Sequence, residues 1–95
     1  MSWRQSLAWN IKFLPSAVKE FKKLDKTTSA RIFSYLREVA KLDDPTMRGK
    51  GLTGNLAGYW RYRIGDYRVI TQLQNGEMII TVIKINHRSK VYEKV

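Results

Sequence analysis

The chain has 95 residues, 43% of them hydrophobic, and carries 18 lysines and arginines against 8 aspartates and glutamates. This length predicts one domain over residues 1–95, and the formal charge of +10 predicts a polyanionic partner, either nucleic acid or an acidic protein. The lack of cysteine excludes disulfides and thiolate metal sites, and a single histidine argues against a zinc site. Because the sequence has neither an apolar run of about 18 residues nor the apolar core of a signal peptide, we expect a cytoplasmic protein with no membrane partner. We also expect no cofactor.

The first half of the sequence predicts a strand followed by two helices. After a short tail at residues 1–6, residues 7–14 alternate between apolar and polar side chains, as in a strand. Pro15 stands at the favoured first position of a helix, and a cap at Thr27 or Thr28 starts a second helix that ends before Pro45. Both helices have an apolar stripe that we expect in the core. Four lysines of this region either are solvated or contact phosphates: Lys19, Lys22, Lys23 and Lys26.

Residues 45–58 contain four glycines and are predicted to form a loop. The glycines do not match a phosphate-binding P-loop, because no Gly-Lys-Ser/Thr sequence precedes a helix. We expect instead a flexible connector across the sheet edge, from which Arg48 and Lys50 reach a ligand.

A tight hairpin is predicted around Gly65-Asp66. Residues 59–69 alternate between apolar and basic side chains on both sides of this dipeptide, which is typical of two strands joined by a two-residue turn. Such a turn places Ile64 opposite Tyr67. By the same register, Arg63 faces Arg68.

Three arginines therefore share one face of the predicted hairpin, because Arg61 lies one step along from Arg63. Like charges directly opposite each other are destabilising. We interpret the three side chains as an anion site, because a guanidinium binds phosphate oxygens in pairs. The alternatives are a solvated strand face for Arg61 and Arg63, and a surface ion pair of Arg68 with Asp66 or Glu77.

A second hairpin is predicted at Asn75-Gly76, followed by a strand over residues 77–86. A two-residue turn there places Arg68 opposite Ile83. His87 has the same parity as Ile83, so we expect it to emerge on the arginine side of the sheet.

Together these elements predict an α+β fold. The order β-α-α-β-β-β indicates a two-layer sandwich, in which two helices pack on one face of a largely antiparallel four-stranded sheet. The apolar sides of the predicted strands provide the face on which the helices rest.

The hairpin sequence Tyr-Trp-Arg-Tyr-Arg-Ile-Gly-Asp-Tyr-Arg-Val and the closing His-Arg-Ser-Lys-Val-Tyr carry a resemblance. In these motifs and in element order, the chain from about Ala8 to its end resembles the RelE/ParE superfamily of bacterial toxins from toxin–antitoxin pairs. Its RelE branch implies an mRNA interferase that enters the ribosomal A site and cuts the message, with the RNA 2′-hydroxyl as nucleophile and no metal. The resemblance also implies a RelB-like antitoxin whose binding segment is acidic and partly disordered until bound.

The resemblance implies specific site residues. Arg61 and Arg63 fall where RelE-type toxins have lysines, Arg68 falls on their hairpin arginine, and Tyr92 falls on their C-terminal tyrosine. These residues are expected to bind the scissile phosphate and to assist departure of the leaving oxygen. The basic residues expected to contact RNA are Lys19, Lys22, Lys23, Lys26, Arg48, Lys50, Arg88 and Lys90.

The chain departs from the RelE pattern at two points. Asn86-His87 stands where that family has another arginine, and arginine replaces a lysine that could act as a base. Because arginine stays protonated, proton transfer falls to His87 or Tyr92, and a histidine near neutral pKa is the natural candidate. Two other functions stay open: a ParE-like inhibitor of DNA gyrase without nuclease activity, and a non-catalytic nucleic-acid-binding module.

Overall fold

The computed structural model describes residues 8–88, in which two α-helices cover one face of a five-stranded sheet. The predicted two-layer α+β fold is confirmed, with five strands instead of four. The predicted tail at residues 1–6 lies outside the described residues. Neither helix within residues 8–88 has the length and apolar character needed to cross a bilayer. The elements are β1 (Asn10–Phe13), α1 (Pro15–Lys22), α2 (Lys26–Ala40), β2 (Lys50–Gly51), β3 (Trp60–Ile64), β4 (Tyr67–Gln74) and β5 (Ile79–His87).

The strands lie in the order β1-β5-β4-β3-β2. β1 runs parallel to β5, and the other neighbours are antiparallel. The extra strand is β2, whose residues Lys50 and Gly51 pair with Arg61 and Trp60. It lies in the segment predicted to be a loop, and two residues are too few to show the alternation that identifies a strand.

The helices begin where local chemistry favours them. Pro15 occupies the start of α1, where its missing N–H costs no helical hydrogen bond. Asp25, and not the predicted Thr27 or Thr28, caps α2, because its carboxylate accepts the backbone N–H of Thr28 at 3.4 Å. Hydrogen bonding from Thr28 also lowers the pKa of Asp25 below its usual value.

Tyr62 stands at the centre of the core between the sheet and α2. Its side chain is fully buried, and its hydroxyl donates to the Pro45 carbonyl at 2.8 Å. Burial raises the pKa of this phenol well above its ordinary value, so it stays protonated and serves packing. The other buried apolar residues packed here are Trp9, Ala17, Ile32, Leu36, Val39, Ala40, Ile64, Val69, Ile80, Val82 and Ile85.

The predicted register between β4 and β5 is wrong. The turn contains four residues instead of two, so Gln74 pairs with Ile79. This moves the pairing by two residues, which leaves every side chain on its predicted face. A β-bulge at Ile83 then moves the pairing by one more residue, so Arg68 pairs with Asn86. A shift of one residue exchanges the two faces, and every assignment beyond the bulge is therefore inverted.

Candidate phosphate-binding site

Arg61, Arg63 and Arg68 lie on the face of the sheet that points away from the helices, which we call the arginine face. On β3 the two arginines alternate with Tyr62 and Ile64, whose side chains are buried in the core. Arg63 pairs directly with Arg68 across the two-residue turn, as the sequence predicted. Side chains opposite each other start roughly 5 Å apart, so the two guanidinium groups can approach one anion together.

Arg68 is the most buried cation of this face. Only 3% of its surface is exposed, and its Nη1 atom has no hydrogen-bond partner among the described residues. Asp66, a predicted alternative partner, lies 3.9 Å from the Nε atom of Arg88 instead. Burying a charged group without a partner is unfavourable. Arg68 is therefore a cation of this face whose Nη1 atom is left without an acceptor among the described residues.

The cross-strand neighbours of the arginines add polar and cationic groups that sequence reasoning missed. Asn86 lies opposite Arg68 on β5, and Lys84 lies opposite Ile70, two positions along. Lys50, which was predicted, lies opposite Arg61 on β2. No local signal identifies Asn86 or Lys84, because their face depends on the bulge in β5.

His87 is not on the arginine face, so the predicted side for this residue is wrong. It pairs with Tyr67, and the two rings meet edge to face with centroids 5.3 Å apart. Tyr67 lies on the helix side of the sheet together with Val69 and Ile85. The physical reason is the bulge in β5, which places Asn86 beside Arg68 and turns His87 to the other face.

Arg48 lies on the helix side, which corrects its predicted position beside the ligand. Its guanidinium lies 3.3 Å from the Glu38 carboxylate and 5.4 Å from the centre of the Tyr35 ring. Its carbonyl accepts the indole N–H of Trp60 at 2.7 Å. Arg48 therefore attaches the segment before β2 to α2.

The other predicted RNA contacts are distributed over the molecule. Arg88 lies beside the β3–β4 turn, where its backbone N–H donates to the Asp66 carbonyl at 2.7 Å. Tyr92 and Lys90 lie outside the described residues. Four exposed lysines belong to the helical layer, so the sheet separates them from the arginine face: Lys19, Lys22, Lys23 and Lys26.

The chemistry of the arginine face is that of a cation cluster. Guanidinium groups hold phosphate oxygens through paired hydrogen bonds and stabilise negative charge that develops on them. Within residues 8–88, no three histidine or carboxylate side chains come together as a set of metal ligands. The described part of the face therefore offers fixed positive charge and hydrogen-bond donors.

Comparisons with known proteins agree with this fold. The family model described as the ParE toxin of the type II toxin–antitoxin system parDE matches residues 11–92. Toxin RelG of Mycobacterium tuberculosis is 25% identical over 91 residues, which cover 93% of this chain and 100% of that protein.

Solved structures of similar fold include toxins alone and in complexes. The toxin–antitoxin complex RelBE2 of M. tuberculosis contains a chain with a TM-score of 0.78 and 22% identity, covering 86% of this chain and 93% of that chain. The isolated RelE toxin of E. coli gives a TM-score of 0.71 and 26% identity, covering 92% of this chain and 94% of that chain. The chain therefore belongs to the ParE toxin family of type II toxin–antitoxin systems, within the RelE/ParE superfamily.

Proposed function

We propose that this toxin is a RelE-like mRNA interferase, an endoribonuclease that cleaves ribosome-bound message and so inhibits translation. The observation that carries the proposal is the buried Arg68, whose Nη1 atom lacks a hydrogen-bond partner among the described residues and which lies opposite Arg63 and Asn86. A phosphodiester would supply the missing acceptor oxygens. The similarity to RelG and to E. coli RelE supports the same branch.

The proposed reaction uses the 2′-hydroxyl of the RNA as nucleophile. This oxygen loses its proton to water and bonds to the adjacent phosphorus, while the bond from phosphorus to the 5′-oxygen of the next nucleotide breaks. The leaving oxygen takes up a proton, so the products are a cyclic 2′,3′-phosphate and a 5′-hydroxyl. Arg61, Arg63 and Arg68 stabilise the charge on the phosphate during this step without a metal ion.

Donation of a proton to the leaving oxygen falls to Tyr92 in this proposal. Arg61, Arg63 and Arg68 stay protonated at neutral pH, and the Asn86 amide does not titrate. His87 points to the helix side of the sheet. The resemblance to RelE-type toxins implies a role for the C-terminal tyrosine, and the proposal for Tyr92 rests on that resemblance.

Inhibition of DNA gyrase is the second candidate function. The match to the ParE family model favours it, and so does the lack, among the described residues of the arginine face, of a side chain that titrates near neutral pH. A cationic face without proton transfer could bind an acidic surface and cut nothing. Fold alone does not separate the two branches.

Two assays with the same protein separate the candidates. Primer extension on a message in a translating extract should reveal cuts within codons, and these cuts should disappear with Arg68→Met. DNA supercoiling by gyrase should proceed normally in the presence of the toxin. Inhibited gyrase beside an intact message would overturn the nuclease proposal in favour of a ParE-like inhibitor. RNA that is bound but uncut, with active gyrase, would indicate a binding module.

A RelB-like antitoxin is the proposed regulatory partner. Solved relatives include RelBE complexes from M. tuberculosis and E. coli. A segment that neutralises a toxin of charge +10 should be acidic and should fold on binding. We expect the product of the adjacent gene to co-purify with this chain at low salt, with at least one antitoxin molecule per toxin molecule. Separate elution of the two proteins would contradict this prediction.

A further inference from the structure

Two lysines extend the positive charge of the arginine face to the opposite edge of the sheet. Lys84 on β5 lies opposite Ile70, and Lys12 on β1 lies beside Thr81. Both lysine side chains are exposed. None of the described strand residues that point to this side is acidic. Six cations of the described strands therefore share one face of the sheet: Lys12, Lys50, Arg61, Arg63, Arg68 and Lys84.

The cations form a row too long for one phosphate. The row crosses four strands through paired residues, from Lys50 on β2 to Arg61 on β3, then through the apolar Ile70 on β4 to Lys84 on β5. Adjacent strands are about 4.8 Å apart, so the backbone positions at the two ends of this row are separated by roughly 14 Å. One phosphate group cannot contact both ends, whereas a chain that carries several phosphates can.

The face suits a nucleic acid better than a protein segment. Stable protein interfaces are built around apolar centres. The large apolar side chains exposed among the described residues all lie outside the strands of this face: Leu14, Phe33, Met47 and Leu56. The apolar residue among the cations, Ile70, pairs with Arg61 and is only 8% exposed. The more exposed positions nearby on this face are lysines and neutral polar side chains such as Gln72 and Thr81.

We infer that Lys84 and Lys12 form a second phosphate subsite, which holds the backbone of single-stranded RNA beside the scissile phosphate. The strand crosses the sheet from β3 toward β1, with one phosphate at Arg61, Arg63 and Arg68 and a neighbouring phosphate at Lys84. Lys12 contacts the next phosphate at the sheet edge. This inference rests on the proposed function, because it places RNA on the arginine face.

The test measures binding of RNA that cannot be cut. A 2′-O-methyl hexanucleotide labelled with fluorescein is titrated by anisotropy at several salt concentrations. Each phosphate contact on a single strand contributes about 0.7 to the slope of log affinity against log salt, or about fivefold in affinity at 0.1 M salt. We expect Lys84→Gln and Lys12→Gln each to make this negative slope shallower by about 0.7. Lys41→Gln, an equal charge change at an exposed lysine that ends α2, should leave the slope unchanged.

Three further arms make the outcomes distinct. With a labelled dinucleotide, which is too short to reach the second subsite, Lys84→Gln should bind as wild type does. If Arg63→Ala lowers the hexanucleotide slope while Lys84→Gln and Lys12→Gln do not, the second subsite is wrong and the proposed function stands. If wild type binds no RNA, the second subsite is wrong, and primer extension in the translating extract decides the proposed function separately. If Lys84→Gln and Lys12→Gln lose as much affinity for polyglutamate as for RNA, the lysines form a non-specific cationic surface and the inference is overturned.

Discussion

Replacement of Arg68 by methionine should lower the rate of RNA cleavage by roughly 10²–10³-fold, the usual effect of removing one preorganised donor to a transition-state charge. The same change should leave the melting temperature unchanged or raise it. Arg68 is 3% exposed and its Nη1 atom has no hydrogen-bond partner among the described residues. Methionine retains most of the aliphatic stem, so little packing is lost. It also removes a buried charge, which relieves the cost of keeping that charge away from water.

A loss of activity without a loss of stability is the result expected for a residue that serves function and does not stabilise the fold. Single-turnover cleavage of a labelled message bound to ribosomes measures the first effect, and thermal unfolding followed by circular dichroism measures the second. A structural arginine would give a different result, because its removal would lower activity and melting temperature together. That parallel loss would contradict the assignment of Arg68 to a phosphate.

His87 provides the matched control for this experiment. It lies at the same end of the sheet as Arg68 but on the helix side, where its ring contacts Tyr67. We expect His87→Ala to keep the cleavage rate within about tenfold of wild type, below the roughly 10²–10⁴-fold effect of an acid–base residue. A larger loss at constant stability would restore His87 as a catalytic residue.

The sequence could predict the arginine face because local chemistry determines it. Gly65-Asp66 allows only a short turn, and that turn sets Arg63 opposite Arg68 without any information from distant residues. Alternation along β3 then separates the arginines from Tyr62 and Ile64. The helical layer could be predicted for a similar reason, because Pro15 marks one helix start and the apolar stripes define the buried sides.

The neighbours of the arginines could not be predicted, because their positions depend on irregular backbone. Asn75-Gly76 is a strong signal for a two-residue turn, yet the chain continues to Met78, which adopts a positive φ of 54°. The bulge at Ile83 leaves no mark in the sequence Thr-Val-Ile-Lys-Ile, because its β-branched residues suit a strand equally well on both sides of the bulge. The predicted face of His87 is therefore wrong by a register error of one residue, and the same error hid the position of Asn86 beside Arg68.

β2 is the second element that could not be predicted, and a glycine holds it in place. Gly49 precedes β2 with a φ of +79°. A β-carbon at this position would lie 2.5 Å from the Arg61 carbonyl oxygen, 2.7 Å from the Trp60 Nε1 atom and 2.8 Å from the Tyr62 Cδ1 atom. The close approach lets the Arg48 carbonyl accept the Trp60 indole N–H.

Gly49→Ala should therefore reduce the free energy of unfolding by about 3 kcal/mol, from left-handed backbone strain together with overpacking against β3. Urea unfolding followed by tryptophan fluorescence measures the change. Gly54→Ala separates the two causes, because Gly54 also has a positive φ, of +66°, but a β-carbon there would meet no atom within 4 Å. Gly76→Ala is the neutral control, since its added β-carbon would meet only open space.

We expect Gly76→Ala to be the most stable of the three variants, Gly54→Ala to be less stable and Gly49→Ala to be the least stable. Equal effects at Gly49 and Gly54 would mean that the chain before β2 moves away from β3 at little cost. The distinction bears on function, because β2 places Lys50 directly opposite Arg61. If the contact at Gly49 fixes this pairing, Gly49→Ala should also lower the salt dependence of RNA binding by the contribution of Lys50, about 0.7 in slope, at temperatures where the variant is still folded.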